Sequence, residues 1–114
     1  MAATEAHLFV TEQNLWFMER QLNLFDFMEL FPVDAVSSVE VGSRGIPIIL
    51  KTDLGFEIES DIERGKMALR NRSRFNGWMR WTEEKRLQAG DEIVITRIGE
   101  REYRLTLVRK NGLA

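Results

Sequence analysis

The chain has 114 residues, 44% hydrophobic and 30% charged, with eight glycines and two prolines, a composition that suits one globular core and excludes a disordered tail or a collagen-like repeat. It has no cysteine and one histidine, which removes disulfides, thiolate nucleophiles, cysteine zinc sites and histidine-rich metal centres. The net charge of -2 is uneven, with 3 basic against 9 acidic residues in 1–57 and 13 against 9 in 58–114, so the second half is the part suited to an anionic partner.

Nothing repeats and no Gly/Ser/Pro-rich linker divides the chain, so it reads as a single domain over 1–114 with residues 1–7 loose. Leu8, Phe9 and Val10 predict a first strand. Over residues 14–31, Leu15, Met18, Leu22 and Phe25 recur at helical spacing, Phe17, Leu24 and Met28 widen the stripe, and Pro32 ends it, which predicts one helix. Ile46, Ile48 and Leu50 then alternate, Thr52-Asp53-Leu54-Gly55 supplies turn chemistry, and Phe56, Ile58 and Ile62 alternate against Glu57, Glu59 and Asp61. The expectation is a hairpin with one buried face and a row of carboxylates in water.

Arg64-Gly65-Lys66 follows as a basic loop. Beyond it Arg70, Arg72 and Arg74 sit at a spacing of two, which in an extended chain points them to one side, where three guanidinium groups repel unless an anion lies between them. Their other side, Leu69, Asn71, Ser73 and Phe75, is only partly apolar and suits a strand edge or loop flank. After Asn76-Gly77, a short helix is predicted from Trp78, Met79 and Trp81 through Glu83, Glu84, Lys85 and Arg86 to Leu87, stopped by Gly90. Residues 93–98, then Tyr103, Leu105 and Leu107 after Gly99-Glu100-Arg101, predict a second hairpin. Strands with two short helices inserted make an α+β, mostly β, closed or nearly closed sheet.

Residues 64–80 hold Arg64, Lys66, Arg70, Arg72, Arg74 and Arg80 without an acid, a positive patch of the kind that meets phosphate, or else a solvated face. Asp61 followed by Glu83-Glu84-Lys85 has the letters of a metal-dependent nuclease, but residues 83–86 read as the wet face of a short helix, where carboxylates do not converge on a metal. His7 has no evident second group to orient it as a base. Trp16, Trp78 and Trp81 could stack on bases, yet Trp78 and Trp81, three apart beside Leu87, read as the core face of a helix. The glycines are isolated, and no phosphate loop or serine-nucleophile motif is present. The expectation is a chain without catalytic activity, cofactor, metal or small-molecule substrate. With no apolar run near the roughly 20 residues of a membrane span and no basic and apolar leader, an intracellular location without membrane contact is expected.

The segments Arg44-Gly45-Ile46-Pro47-Ile48-Ile49-Leu50, Asp53-Leu54-Gly55-Phe56, Gly77-Trp78-Met79-Arg80-Trp81 and Glu84-Lys85-Arg86-Leu87-Gln88-Ala89-Gly90-Asp91, with Phe31-Pro32 ahead of them, resemble in order and spacing the B-three DNA-binding domain. That family is known from plant transcription factors and from the target-recognition domains of some bacterial restriction endonucleases. The resemblance spans residues 8–110. It implies a seven-stranded open pseudobarrel with two short helices, which holds duplex DNA by two arms in the major groove, one after the first strand and one between the fourth and fifth strands.

By position, the resemblance places the second arm at residues 62–72, with Glu63, Arg64, Lys66, Arg70 and Arg72 as polar members and Arg74 continuing the row. It places the first arm within residues 12–23, where Gln13, Asn14, Arg20, Gln21 and Asn23 stand without the lysines usual there. The acidic net charge also departs from the family's basic balance and lowers the expected non-specific affinity. Apart from the family, Arg suits guanine O6 and N7, Gln and Asn suit adenine N6 and N7, and Glu can accept from cytosine N4. The expected function is sequence-specific double-stranded DNA binding, as in a transcription factor or the recognition part of a larger restriction enzyme. The alternative is a protein-interaction or scaffold module on the same barrel, its arginine row facing an acidic partner.

Overall fold

The structure is a computed structural model and describes residues 4–38, 40, 42–70 and 77–109. Alternating apolar residues build strands β1 (Glu5–Phe9), β2 (Ile48–Thr52), β3 (Glu57–Ser60), β6 (Asp91–Arg97) and β7 (Glu102–Arg109). They form one sheet in the order β1-β6-β7-β2-β3, antiparallel except where β2 runs parallel to β7. Strands β4 (Ile62–Glu63) and β5 (Ala68–Leu69) make a separate antiparallel pair. Helices α1 (Leu15–Arg20) and α2 (Trp78–Lys85), with 3-10 turns at Phe25–Leu30 and Val33–Ala35, complete the described elements. The fold is α+β and mostly sheet, and the strand ladders do not close into a barrel.

The inward residues of the large sheet, Ala6, Leu8, Ile48, Leu50, Ile58, Ile93, Ile95, Tyr103 and Leu105, meet Trp78 and Trp81 of α2 in one core. The two indoles are buried with ring centroids 5.2 Å apart, as their spacing on the helix predicts. Each N–H has an acceptor: Trp78 Nε1 donates to the Met18 carbonyl at 2.6 Å and Trp81 Nε1 to Asp53 Oδ1 at 2.8 Å. The buried Tyr103 hydroxyl donates to the Leu30 carbonyl at 2.8 Å, and its ring packs against Phe31, so Phe31-Pro32 closes the core where the helical pattern ends.

Four expectations are corrected. The single helix over 14–31 is replaced by α1, an extended stretch and the 3-10 turn. Leu22 and Leu24, spaced by two and both buried, fit a strand as well as a helix, and the backbone of residues 67–69 decides: Leu69 N–H donates to Leu22 O and Leu24 N–H to Met67 O, at 3.0 and 2.8 Å. Residues 5–7, expected to be loose, belong to β1 and pair with β6; the small Ala6 is the inward residue there and carries little apolar signal. The short helix is capped at Arg86, in the left-handed conformation with φ 54°, rather than at Gly90.

Asp61 is the fourth correction, because it lies inside rather than in the solvent row. Ser60, Asp61 and Ile62 are all buried, since the chain leaves one sheet for the other between β3 and β4 and the period of two breaks there. Glu57 and Glu59 do face water.

Gly45 lies against the Ala35–Val36 backbone and beside Asp61 of this crossing. A Cβ there would lie 2.1 Å from the Ala35 carbonyl oxygen, and the Gly45 N–H donates to Asp61 Oδ2 at 2.8 Å. Gly45→Ala is expected to destabilise the fold by ~1–3 kcal/mol through this overpacking, read as a lower urea midpoint at unchanged slope. A wild-type midpoint would contradict the close approach.

Candidate nucleic-acid interface

The turn between β4 and β5 carries the second predicted arm. It closes through Met67 N–H to Arg64 O at 3.2 Å, with Met67 in the left-handed region at φ 48°. Arg64, Gly65 and Lys66 are exposed at its tip, and Glu63 is half-buried. The Arg64 side chain is anchored by Nε, which donates to Ser37 O at 2.9 Å, while its backbone N–H reaches Ser37 Oγ at 3.2 Å. Its terminal nitrogens, and the Lys66 amine, have no hydrogen-bond acceptor among the described residues.

Arg70 is placed differently. Its Nε donates to Asp61 Oδ1 at 2.8 Å and Nη2 to Asp61 Oδ2 at 3.2 Å, with a longer contact to the Ser43 carbonyl. Burial pushes the Asp61 carboxyl up, but the hydrogen bonds from Arg70 and the Gly45 N–H outweigh it and hold the group below the usual carboxylate range. Arg70 thus meets a fixed counter-charge and braces the base of the turn. Arg72 and Arg74, the other members of the predicted row, lie outside the described residues.

In the first predicted arm, Asn14 is committed to local structure: Oδ1 accepts from Thr11 N–H at 2.7 Å and Nδ2 donates to Phe9 O at 3.0 Å. Asn23 is similar, its Oδ1 accepting from Phe25 N–H at 2.9 Å and its Nδ2 reaching Lys66 O at 3.5 Å. Arg20 lies 4.2 Å over the exposed Trp16 ring and donates through Nη1 to Trp16 O at 2.7 Å. Gln13 is exposed and Gln21 half-buried, and neither amide bonds another described residue. Helix α1 is held to α2 by the Trp78 bond and by Thr82 Oγ1, which donates to Glu19 O at 2.8 Å.

The two predicted arms meet. Asn23 bridges Ala68 in antiparallel pairing, flanked by the bonds of Leu22 to Leu69 and of Leu24 to Met67, so the segment leaving α1 is stitched to the basic turn. The signal for this contact was the alternation of Leu22 and Leu24, which the helical reading absorbed. Ser37 lies in no motif, and neither the nuclease letters that contain Asp61 nor the resemblance segment that contains Gly45 signals a supporting role.

Elsewhere, the nuclease letters do not gather: Asp61 is tied to Arg70, Glu84 pairs with Arg80 at 3.5 Å on α2, and no cluster of three or more metal-ligating side chains forms among the described residues. None of the described helices is long and apolar enough to cross a membrane. His7 does have partners, Nε2 lying 3.1 Å from Glu5 and Nδ1 3.2 Å from Glu92. The hydrogen bond with Glu5, reinforced by Glu92 against a smaller desolvation, raises its pKa above 6.5. The raised value means a stabilisation fully present below pH 6.5 and lost as pH rises through the folded pKa. An NMR titration of the ring is expected to give a midpoint above 6.5 that falls in Glu5→Gln; a midpoint unmoved by that change would contradict the pairing.

No protein-family model and no curated protein sequence matches the chain. Among solved structures it is similar to a hypothetical protein of Arabidopsis thaliana, with 19% sequence identity, a TM-score of 0.56, and coverage of 97% of this chain and 98% of that one. At that identity the likeness concerns the fold alone, and it supports an α+β, mostly sheet architecture shared along nearly the whole length of both chains.

Proposed function

We propose that the chain is a non-catalytic, sequence-specific double-stranded DNA-binding module of B-three type, its strands acting as an open pseudobarrel that presents two arms to the major groove. The observation that carries this reading is the backbone ladder joining residues 22–24 to residues 67–69, which sets the end of the first arm beside the turn that carries Arg64 and Lys66. In this reading the terminal nitrogens of Arg64 and the amine of Lys66 supply donors for phosphate oxygens or guanine O6 and N7, and the amides of Gln13 and Gln21 suit adenine. Arg20 adds charge within the first arm. Arg70, Asn14 and Asn23 are positioning residues, since their polar groups already hold the arms in place.

Random-site selection followed by binding assays tests this. Arg64→Ala or Lys66→Ala is expected to weaken the preferred site, by ~1–3 kcal/mol and selectively where the residue reads a base. Arg104→Ala, an exposed change on β7 of the large sheet, should change little. Equal damage from Arg104→Ala would show that the DNA-facing side is wrongly assigned.

A further inference from the structure

Strand β1 lies at the edge of the large sheet, and its register with β6 decides which backbone groups are used. Arg97 N–H donates to Thr4 O and Val10 N–H to Asp91 O, at 2.8 and 2.9 Å, so the even-numbered residues face β6. The N–H and C=O groups of Glu5 and His7 therefore point away from the sheet, where they meet no backbone partner among the described residues.

Beside that edge, β1, α1 and the 3-10 turn Phe25–Leu30 enclose a groove of about 400 Å3 whose walls include Phe9, Phe17, Met18, Phe27, His7 and Asp26. Two of its aromatic wall residues are exposed, Phe9 at 54% and Phe17 at 41% of full exposure, and the exposed Trp16 and Phe25 adjoin wall residues in sequence, which suits an interaction surface. Its carboxylates set its charge. Among the described residues no lysine or arginine lines the groove, Asp26 stands in its wall, Glu5 and Glu92 flank His7 on the edge strand, and Arg20 lies nearby over the Trp16 ring.

We propose that this edge and groove take up an extended segment of a partner protein, added as a further strand on β1. The segment carries an aromatic or branched aliphatic side chain for the groove and Lys or Arg side chains for Glu5, Asp26 and Glu92. Backbone pairing with Glu5 and His7 supplies affinity, and the groove supplies selectivity. The carboxylates disfavour the other occupants: a nucleic acid would bring phosphates against them, and a second copy would bring its own Glu5 and Glu92. The groove shares Asn14, Phe17, Met18 and Asn23 with the first arm, so the proposal is separated from the DNA-binding reading by the β1 edge, which that reading does not use.

The test is selection of a displayed random octapeptide library on the full chain, followed by fluorescence anisotropy with the enriched peptide. Enriched peptides are expected to combine Lys or Arg with Phe, Trp, Leu, Ile or Val. Affinity should fall at least tenfold in His7→Pro, which removes an outward donor at an edge position that tolerates proline, and in Phe9→Ser, with thermal unfolding confirming that both variants fold. Asp26→Lys should weaken binding about threefold and reduce its salt dependence. Duplex DNA binding should stay at wild-type strength in His7→Pro, which separates the β1 edge from the arms. No enrichment, enrichment of acidic peptides, affinity unchanged in both folded variants, displacement by oligothymidine, or dimerisation of the chain through β1 would each overturn the proposal.

Discussion

Asp61→Ala is expected to destabilise the protein by ~3–5 kcal/mol, the loss typical when one partner is removed from a buried charge pair. Asp61 is fully buried and receives the Arg70 guanidinium and the Gly45 N–H. Its removal leaves a partly buried cation and a backbone donor without an acceptor. Asp61→Asn keeps an acceptor and loses the charge, so it should lose less. The pH dependence has a defined sign: the folded carboxyl is held below its ordinary value of 3.8, so the stabilisation is present above that pH and is lost as pH falls through the folded value. Urea denaturation of wild type and variant at neutral pH and toward pH 3 checks both parts. A variant as stable as wild type at neutral pH would show that the pair is not formed.

Trp78→Ala should be of similar size, ~3–5 kcal/mol, from the cavity left by a buried indole. The position matters beyond volume, because Trp78 Nε1 donates to Met18 O at 2.6 Å and so ties α2 to α1. Trp78→Phe keeps much of the packing and loses the bond, and is expected to destabilise by ~1–3 kcal/mol. In that variant, backbone amides of α1 should exchange with deuterium faster while those of β6 and β7 keep their protection. Uniform loss of protection across both would contradict a local tie.

The hairpins, the short helix and its buried tryptophans were legible because each turns one apolar face to the core and carries the matching period in the sequence. The first helical segment misled for the same reason. Leu15 and Met18 obey the helical spacing, but Leu22 and Leu24 satisfy both periods, and the bonds to residues 67–69 that choose between them come from far along the chain. Asp61 was misplaced because alternation was extended one residue past the end of β3, into a crossing no local pattern marks.

The candidate site divides along the same line. Exposed Arg64 and Lys66 on a short basic turn are readable from composition and turn chemistry, whereas Arg70 looks identical to them in sequence and differs only through its tertiary partner. Asn14 and Asn23 were drawn from an amide-rich segment by residue type, and the structure uses both to shape turns. The side-chain amides of Gln13 and Gln21 bond no other described residue, as the proposed base contacts require.

The central claim is that the basic turn and the segment stitched to it bind duplex DNA. It is tested most directly by the salt dependence of affinity for a labelled duplex carrying the selected site. With about four to six phosphate contacts, the logarithm of the association constant should fall with the logarithm of potassium chloride concentration at a slope near about -4 to -5, and Lys66→Ala should reduce that slope by about one. An affinity that does not change with salt, or the absence of any duplex binding at low salt, would contradict the account.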